Sequence, residues 1–266
     1  MSKVILITGA SSGIGKAIAT YLHAKNYTVY GTSRNPAKVK VPFNMVVLDV
    51  TDAKIIDSAV STVIEKEGKI DVLINNAGKG ITGSIEDTPT DEMRANFNTN
   101  FFGVIDVAKA VLPQMRKQKS GTIINVTSIA GYMGLPFRGI YSASKGALEL
   151  VTEALSMEVK SFGIKVINVA PGDFATNIAS GRFHTPVYEN SAYKEAYTEN
   201  LALMDGHVNS GMDPKVMAKV IHQIIEKKNP NIHYKIGGFM EKFSVVLKRV
   251  LPDKVYEKLL MNHYKL

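Results

Sequence analysis

Short apolar runs alternate with longer segments of helical periodicity along most of the 266-residue chain. The short runs predict buried strands at residues 4–7, 27–33, 45–48, 72–74, 122–126, 165–169 and 231–236. The periodic segments predict helices at residues 14–24, 52–65, 90–117, 141–161 and 214–227. Parallel strands need long crossovers, usually helices, and helices on both faces bury the sheet. The pattern therefore predicts an α/β fold: a doubly wound parallel sheet of about seven strands with helices on both faces.

Two segments stand outside this alternation. Residues 173–213 form an unusually long connection, and residues 237–266 form a tail. Connections longer than about 15 residues are uncommon and tend to be functional. No repeat, low-complexity tract or glycine/serine linker divides the chain, so we expect a single domain over residues 1–266. Within it, we expect the long connection to be a lid over a binding site and the tail to be helical.

Composition removes several classes of protein from consideration. The chain has no cysteine, which excludes disulfides, thiolate metal sites and cysteine nucleophiles, and is compatible with a cytoplasmic location. Its six histidines have no paired metal-ligand spacing, so no metal site is expected. The net charge is +8, but the basic residues are spread along the chain, so no nucleic-acid partner is expected. No apolar stretch approaches the ~18 residues of a membrane span, which predicts a soluble protein.

A glycine-rich turn follows the first predicted strand directly and opens into a helix. It reads Thr8-Gly9-Ala10-Ser11-Ser12-Gly13-Ile14-Gly15. Glycines permit a sharp turn and let a phosphate approach the backbone amides without a Cβ in the way. The N-terminus of the following helix carries partial positive charge and unpaired N–H groups. This strand–turn–helix context predicts a Rossmann-type dinucleotide site that includes Gly9, Ser11, Ser12, Gly13, Ile14 and Gly15.

The end of the second strand distinguishes between two dinucleotides. Proteins that bind NAD commonly carry an acidic residue there, which binds the adenosine ribose hydroxyls. This chain has Ser33-Arg34-Asn35 instead. A carboxylate would repel the extra phosphate of NADP, whereas an arginine pairs with it through two parallel hydrogen bonds. Ser33 and Arg34 therefore predict NADP, with a preference over NAD of about ten- to a hundredfold. The alternative is that Arg34 is a solvated surface charge.

Tyr141 and Lys145 are four residues apart and therefore share one face of a predicted helix. A nearby cation favours a phenolate and lowers the pKa of a phenol, which makes a tyrosine usable as a general acid or base. The spacing alone means little, because Tyr21 and Lys25 share it. Only Tyr141 follows a buried strand that ends in a hydroxyl, that of Ser128. The combination predicts a proton-transfer site.

Taken together, these motifs resemble the short-chain dehydrogenase/reductase family over residues 3–236. Further family motifs stand in the same order along the chain: Asp49-Val50 on the adenine side, Asn75-Asn76-Ala77-Gly78 after the fourth strand, and Pro171-Gly172 after the sixth, followed by Phe174 and Thr176. The active-site residues of the family correspond to Asn100, Ser128, Tyr141 and Lys145. Ser12 together with Arg34 is similar to the NADP-preferring branch that includes 17β-hydroxysteroid and retinol dehydrogenases. Phe174 departs from the family, which often has valine there.

The resemblance implies an NADP(H)-dependent oxidoreductase that transfers hydride between the nicotinamide and a carbonyl or alcohol group. Ser128 is expected to hydrogen-bond the substrate oxygen, and Tyr141 to exchange a proton with it. Lys145 is expected to bind the nicotinamide ribose and to lower the pKa of Tyr141, while Asn100 holds a water in a proton relay. The residues implied to contact the cofactor are Asp49, Val50, Asn76, Ala77, Gly78, Tyr141, Lys145, Pro171, Gly172, Phe174 and Thr176. Family members usually form homodimers or homotetramers through the helices predicted at residues 90–117 and 141–161.

The lid and the tail bear on the substrate and on partners. The lid carries Phe174, Phe183, Tyr188, Tyr193, Tyr197, Leu201, Leu203 and Met204. These side chains favour a lipophilic substrate such as a steroid, a retinoid or a lipid; alternatively, they only pack the lid on the domain. Residues 241–266 of the tail have six Lys/Arg against three Asp/Glu, interspersed with apolar side chains. Contact with an anionic membrane is one interpretation, but such a tail more often packs on its own domain or on a partner subunit.

Two alternatives to this function stay open. A 3-oxoacyl-carrier-protein reductase is the main rival within the same class, although the long lid and the extra tail argue mildly against it. A non-enzymatic NADP redox sensor is an alternative of another class. Such a protein could dispense with the catalytic residues, whereas all four positions are intact here.

Overall fold

The structure is a computed structural model that describes residues 2–175, 181–209 and 211–266. The strands are β1 (Val4–Ile7), β2 (Thr28–Ser33), β3 (Asn44–Val47), β4 (Val72–Asn75), β5 (Ile81–Thr82), β6 (Gly121–Val126), β7 (Ile164–Pro171), β8 (Phe183–His184) and β9 (His233–Ile236). The α-helices are α1 (Gly13–Ala24), α2 (Ala53–Glu67), α3 (Thr90–Phe97), α4 (Gly103–Gln118), α5 (Gly139–Glu158), α6 (Lys194–Asn209), α7 (Pro214–Glu226), α8 (Phe239–Val250) and α9 (Asp253–Tyr264). The predicted alternation of strand and helix is confirmed.

Within the described ranges, seven strands form one parallel sheet in the order β3-β2-β1-β4-β6-β7-β9, as predicted. The chain builds outward from β1 to β3, then returns to the other side of β1 with β4 and continues to β9. Ile7 pairs with Gly31 of β2 and with Ile74 of β4, so these three strands run level where the order reverses. Ligands of such sheets bind in the crevice beyond the carboxyl ends of the strands at this reversal.

The strands bury both of their faces, which explains why they read as continuous apolar runs. Along β1, Ile5 and Ile7 pack into a core shared with α1 and α7, whereas Val4 and Leu6 pack into a core shared with α2 and α4. Side chains alternate between the faces of a strand, so a strand covered on both sides needs apolar residues throughout. The two cores hold the sheet edge that carries the site in a fixed position.

The segment predicted as one helix over residues 90–117 is two helices. A π-helical turn, Asn98–Phe102, separates α3 from α4. Here Gly103 packs against Val50 so closely that a Cβ would meet the Val50 carbonyl oxygen. Helical periodicity does not reveal a π turn, because the turn inserts a single residue into an otherwise regular apolar pattern. Such turns are frequent at functional sites, and this one carries Asn100.

The lid and the tail are both structured where they are described. In the lid, β8 pairs with β5 as a second, two-stranded parallel sheet, and α6 follows. The tail consists of α8 and α9, which meet at Leu251-Pro252. Val245 and Tyr256 of the tail pack against Ile129 and Met133 beyond β6. Within the described ranges, no helix combines the length and the apolar composition needed to cross a membrane.

Replacement of Asn125 by alanine tests a buried polar chain that joins β4, β6 and α5. Asn125 accepts a hydrogen bond from Asn75 Nδ2 and donates one to Thr152 Oγ1, both at 2.9 Å. Because Asn125→Ala leaves buried polar groups without partners, we expect a loss of about 1–3 kcal/mol in the free energy of unfolding, measured with urea. The control is Asn44→Ala at an exposed position of β3, expected to change stability by less than about 0.5 kcal/mol. Equal effects of the two variants would contradict the prediction.

Candidate active site

A cleft of about 790 Å³ lies beyond the carboxyl ends of β1, β2, β4 and β6, where the strand order reverses. A volume of this size is typical of small-molecule and cofactor sites. Most of the predicted cofactor residues line it: Gly9, Ser11, Ser12, Gly13, Ile14, Gly15, Ser33, Arg34, Asp49, Val50, Asn76, Ala77, Gly78, Tyr141, Lys145 and Pro171. The tertiary structure therefore brings together segments that lie up to 162 residues apart, from Gly9 to Pro171.

The glycine-rich turn shapes one wall of the cleft by lacking side chains. Gly9 and Gly13 have φ angles of 68° and 53°, a backbone conformation that favours glycine. At Gly15, a Cβ would collide with the carbonyl oxygen of Gly9 and with Asn76 Nδ2. The side chain of Ser12, at the N-cap of α1, makes no capping hydrogen bond within the described residues. The first amides of α1 therefore remain available to an anion.

The floor of the cleft is a hydrogen-bonded junction between the ends of β1 and β4. Thr8 Oγ1 accepts hydrogen bonds from the backbone N–H groups of Asn76 at 2.9 Å and Ala77 at 3.0 Å. In return, Asn76 Nδ2 donates to the carbonyl oxygens of Thr8 and Gly9, both at 3.1 Å. Sequence analysis did not assign Thr8 to the site. The sequence feature that could have indicated Thr8 is a hydroxyl residue directly after an apolar strand.

Arg34 and Asp49 form a charged end of the cleft. Asp49 Oδ1 accepts hydrogen bonds from the Thr51 N–H at 2.9 Å and from Thr51 Oγ1 at 2.7 Å. These bonds, with a smaller effect of the Arg34 charge, lower the pKa of Asp49 below its ordinary value, so its carboxylate is ionised. The Arg34 side chain is exposed, and within the described residues it makes no ion pair. Its guanidinium can therefore bind an added anion.

Lys145 lies at the other end of the cleft, one turn of α5 beyond Tyr141. It is 4% exposed, and its Nζ donates a hydrogen bond to the Val126 carbonyl oxygen at 2.9 Å. Burial lowers the pKa of Lys145 to about 8. The ammonium also reaches the opposite wall, since its Nζ lies 3.5 Å from where a Cβ on Gly78 would be. Tyr141 and Lys145 thus line the cleft together, as predicted from their spacing.

Ser128 and Asn100 flank the cleft without lining it. Ser128 follows β6, and its Oγ accepts a hydrogen bond from the Ala130 N–H at 3.2 Å. Asn100 Oδ1 accepts from the Lys79 N–H at 2.8 Å, while Asn100 Nδ2 donates to the Lys79 carbonyl oxygen at 2.9 Å. Nδ2 also lies 3.3 Å from Ser144 Oγ on α5. The Asn100 amide therefore holds the Lys79 backbone in place, and its part in a proton relay stays a prediction.

Two predicted cofactor residues near β7 are placed differently from the prediction. Phe174 is 3% exposed and belongs to the hydrophobic core, so its side chain does not line the cleft. Gly172 also lies outside the lining, and it faces the carboxylate of Glu241, which would have to move to admit a Cβ. Thr176 lies outside the described residues. Contacts of these three residues with a cofactor stay predictions.

Three of the lid's large side chains are packing residues. Phe174, Tyr197 and Met204 are each buried. The ring of Tyr197 packs 5.4 Å from the ring of Phe137, and its hydroxyl donates to the Thr82 carbonyl oxygen at 3.0 Å. These lid residues support the interpretation of lid packing. Outside the lid, Ile85 is an exposed apolar side chain: it is 60% exposed and lies against Gly139 at the start of α5.

The last helix reaches the catalytic end of the molecule. The guanidinium of Arg138 lies 5.6 Å from the centroid of the Tyr141 ring. Burial raises the pKa of Tyr264 on α9, and the charge of Arg138 opposes that increase. The Tyr264 carbonyl oxygen accepts a hydrogen bond from Asn200 of the lid at 3.0 Å. Sequence analysis missed Arg138 and Tyr264, because no local pattern indicates that residues so far apart meet.

A buried carboxylate lies one turn beyond Lys145 on α5. Glu149 is 6% exposed, and burial raises its pKa to about 7, although hydrogen bonds from Asn168, Tyr132 and Thr127 oppose the increase. Thr127 Oγ1 lies 3.2 Å from Glu149 Oε1 and 2.6 Å from Asn168 Oδ1. A hydroxyl has only one proton to donate, so Thr127 shares its proton between these two acceptors. No group of three His or acidic side chains among the described residues is placed to hold a metal ion.

Known proteins that resemble this chain in sequence are oxidoreductases. The sequence profile of the family described as short chain dehydrogenase matches residues 3–186. A 3-ketodihydrosphingosine reductase of Bacteroides thetaiotaomicron is 41% identical over 263 residues, which cover 98% of each chain. The uncharacterized oxidoreductase YusZ of Bacillus subtilis is 36% identical, with 97% of each chain covered.

Two solved structures extend the likeness to the fold. A short-chain dehydrogenase from Streptomyces avermitilis has a TM-score of 0.81 and 33% identity, covering 99% of this chain and 97% of that one. ElxO, solved with NADP bound, has a TM-score of 0.70 and 28% identity, covering 89% of this chain and 96% of that one.

Glu149→Gln tests the charge state of the buried carboxyl group. Because the folded-state pKa of Glu149 is raised from 4.5 to about 7, its protonation stabilises the native state fully below about pH 4.5. That stability is lost as the pH rises through about 7 and amounts to on the order of 3 kcal/mol. We expect Glu149→Gln to remove this loss, measured as the difference between urea midpoints at pH 5 and pH 8. Glu158→Gln, at an exposed end of α5, is the control that keeps the wild-type difference. An unchanged pH dependence in Glu149→Gln would show that the carboxyl group is ionised throughout.

Proposed function

The chain belongs to the short-chain dehydrogenase/reductase family, and from this premise we propose that it is an NADP(H)-dependent oxidoreductase acting on a lipophilic carbonyl or alcohol, with Tyr141 as the acid/base. The observation that carries the proposal is the arrangement of the cleft. The first amides of α1 and the Arg34 guanidinium, which makes no ion pair within the described part of the chain, lie at one end, and Tyr141 with the buried Lys145 lies at the other. An anion-binding region and a proton donor thus face one continuous cavity.

The residues present fit the proposed cofactor. The turn from Gly9 to Gly15 leaves backbone amides exposed where a diphosphate would lie, and no side chain could be added at Gly15. Arg34 stands where a second-strand acid would favour NAD, and it would hold the additional phosphate of NADP. Asp49 and Asn76 would border the adenosine half. When bound, the nicotinamide supplies or accepts the hydride. ElxO, 28% identical to this chain, binds NADP in its solved structure and supports the assignment.

The groups that transfer the proton and stabilise its loss are Tyr141 and Lys145 on α5 and Ser128 after β6. In the reductive direction, Tyr141 donates its phenolic proton to the carbonyl oxygen, and Ser128 donates a hydrogen bond to the same oxygen. The ammonium of Lys145 stabilises the phenolate that remains. Because its pKa is about 8, Lys145 is mostly charged at neutral pH, and the Val126 carbonyl oxygen accepts one of its hydrogen bonds. In the oxidative direction, the phenolate takes up the proton of the alcohol.

A lipid-like ketone is the substrate class we propose. The 41% identity with a 3-ketodihydrosphingosine reductase extends over 98% of both chains. Ile85 is 60% exposed and lies against Gly139, so it offers an apolar side chain at the start of α5. The tail adds the buried Tyr264 near Arg138, so that this end of the molecule is enclosed on two sides by α6 and α9.

We also propose one catalytic unit per chain and a homodimer or homotetramer in the cytoplasm. The lid and the tail are bonded to the sheet domain, for example through Glu241 Oε1, which accepts a hydrogen bond from the Asp173 N–H at 2.7 Å. The long helix α5 carries exposed apolar side chains at Leu150 and Met157, 69% and 73% exposed. Such side chains suit an interface between subunits.

Tyr141→Phe tests the catalytic assignment. We expect turnover of NADPH with ketones to fall by at least about 10²-fold, because the proton donor is lost. Binding of NADPH, followed by fluorescence titration, should persist. The control is Tyr21→Phe, since Tyr21 and Lys25 on α1 have the same spacing but lie away from the cleft. The panel should contain long-chain, steroid, retinal and acetoacetyl-thioester carbonyls. Turnover confined to the thioester would favour an acyl-carrier-protein reductase, and NADPH binding without any turnover would favour a redox sensor.

Arg34→Ala tests the choice of cofactor. We expect the dissociation constant for NADPH to rise about ten- to a hundredfold while that for NADH stays unchanged, because only NADPH carries the phosphate that the guanidinium would bind. Lys38→Ala removes a neighbouring exposed cation that does not line the cleft and should leave both constants as they are. Equal weakening of the two nucleotides in Arg34→Ala would identify Arg34 as a solvated charge.

A further inference from the structure

Helix α8 carries an apolar stripe that faces solvent. Phe239, Phe243, Val246 and Val250 follow each other at helical spacing along one face and are 74%, 39%, 51% and 74% exposed. The rings of Phe239 and Phe243 stack with their centroids 5.6 Å apart. A different face of the helix packs into the protein, because Val245 is 1% exposed and lies in the core cluster with Met133 and Tyr256. The stripe is therefore a surface in addition to the one that attaches α8 to the domain.

The charges around the stripe are predominantly positive. Lys242 and Arg249, both exposed, are seven residues apart and so flank the stripe on the same side. The acidic residues nearby are already engaged: Glu241 accepts hydrogen bonds from the Asp173 and Gly238 N–H groups, and Asp253 pairs with Lys248 at 3.1 Å. Helix α9 adds exposed Lys254, Lys258 and Glu257, and Lys265, the next-to-last residue, is also exposed. The tail thus presents a net positive charge beside exposed apolar side chains.

We propose that the α8 stripe binds the surface of an anionic phospholipid membrane. An amphipathic helix with exposed aromatic and aliphatic side chains and flanking Lys/Arg lies in the plane of the interface, with its apolar side chains among the lipids. The twelve residues of α8 would extend about 18 Å, which is too short to span a bilayer. The cytoplasmic leaflet of a membrane is anionic and attracts such cations.

Charge also argues against a second copy of this chain as the occupant. If two α8 helices paired antiparallel about a twofold axis, Lys242 of one copy would lie close to Arg249 of the other. Like charges opposed across an interface weaken it. A membrane surface of negative charge instead satisfies both cations and the apolar stripe.

The proposed surface is bonded to the substrate end of the cleft. Glu241 Oε1 of α8 accepts a hydrogen bond at 2.7 Å from the N–H of Asp173, the residue that follows Gly172. Helix α9 reaches Tyr141 through Tyr264 and Arg138. Attachment to lipid would therefore hold the catalytic end close to a membrane, and for the lipid-like substrate of the proposed function it would shorten the route from bilayer to Tyr141. The binding itself does not depend on that substrate.

The experiment is co-sedimentation of the full-length protein with vesicles of phosphatidylcholine alone and of phosphatidylcholine mixed with phosphatidylglycerol, without substrate or cofactor. We expect binding to the mixed vesicles only, weakened by salt. Val250→Ser should lower the partition coefficient about five- to tenfold, because it removes an apolar side chain from the interface. Val47→Ser, at a 50% exposed position on the opposite edge strand β3, is the matched control and should bind like the wild type. Lys242→Glu combined with Arg249→Glu should remove the preference for anionic vesicles.

Several outcomes would overturn the proposal. They are absence of vesicle binding, equal binding to both vesicle types, or unchanged binding of Val250→Ser. Analytical ultracentrifugation provides a further one: if Val250→Ser dissociates an oligomer while Val47→Ser does not, the stripe is an interface between copies. Urea midpoints of the variants confirm that they are folded. Because binding is scored without substrate, failure here leaves the enzymatic proposal standing, and failure of turnover leaves the binding result standing.

Discussion

The turn between β1 and α1 crosses the end of β4 so closely that the backbone itself is the contact surface. Gly15 has no room for a Cβ between the Gly9 carbonyl oxygen and the Asn76 side chain, and Gly9 lies against Ala77 in the same way. Thr8 Oγ1 completes the junction by accepting hydrogen bonds from the two N–H groups of Asn76 and Ala77, which follow β4. If this approach were wider, α1 would no longer aim its free amides into the cleft, and the reversal of strand order would not form an anion site.

Helix α5 carries the titratable residues of the site, and the burial of two of them destabilises the fold. Tyr141, Lys145 and Glu149 follow one another at four-residue steps on one face. The latter two are buried, with pKa values moved to about 8 and about 7, so burial disfavours the ionised form of each. At the end of β6, the Val126 carbonyl oxygen accepts a hydrogen bond from Lys145 Nζ, and Thr127 Oγ1 donates one to Glu149 Oε1. Buried titratable groups of this kind destabilise a fold and are characteristic of active sites.

The lid and the tail are the two segments that lie outside the alternation of strands and helices. The sheet and its helices build the part of the cleft that we assign to the nucleotide, whereas α6 and α9 meet near Arg138, beside Tyr141. Glu241 of the tail accepts a hydrogen bond from the segment after β7 and faces Gly172, a predicted cofactor residue. The tail therefore contacts both the predicted cofactor region and the surroundings of Tyr141.

The sequence alone determined the alternation of elements, the parallel sheet and the position of the glycine-rich turn, because these follow from local periodicity and from backbone freedom at single residues. It also indicated most of the residues that line the cleft, since strand ends of a doubly wound sheet meet at one edge. It did not reveal the π turn at Asn100, the burial of Phe174 or the contacts of Glu149. Nor did it indicate that Arg138 and Tyr264 meet beside Tyr141, or that the tail turns one apolar stripe outward. Those features depend on which surfaces pack together across long stretches of chain, and only the tertiary structure decides that packing.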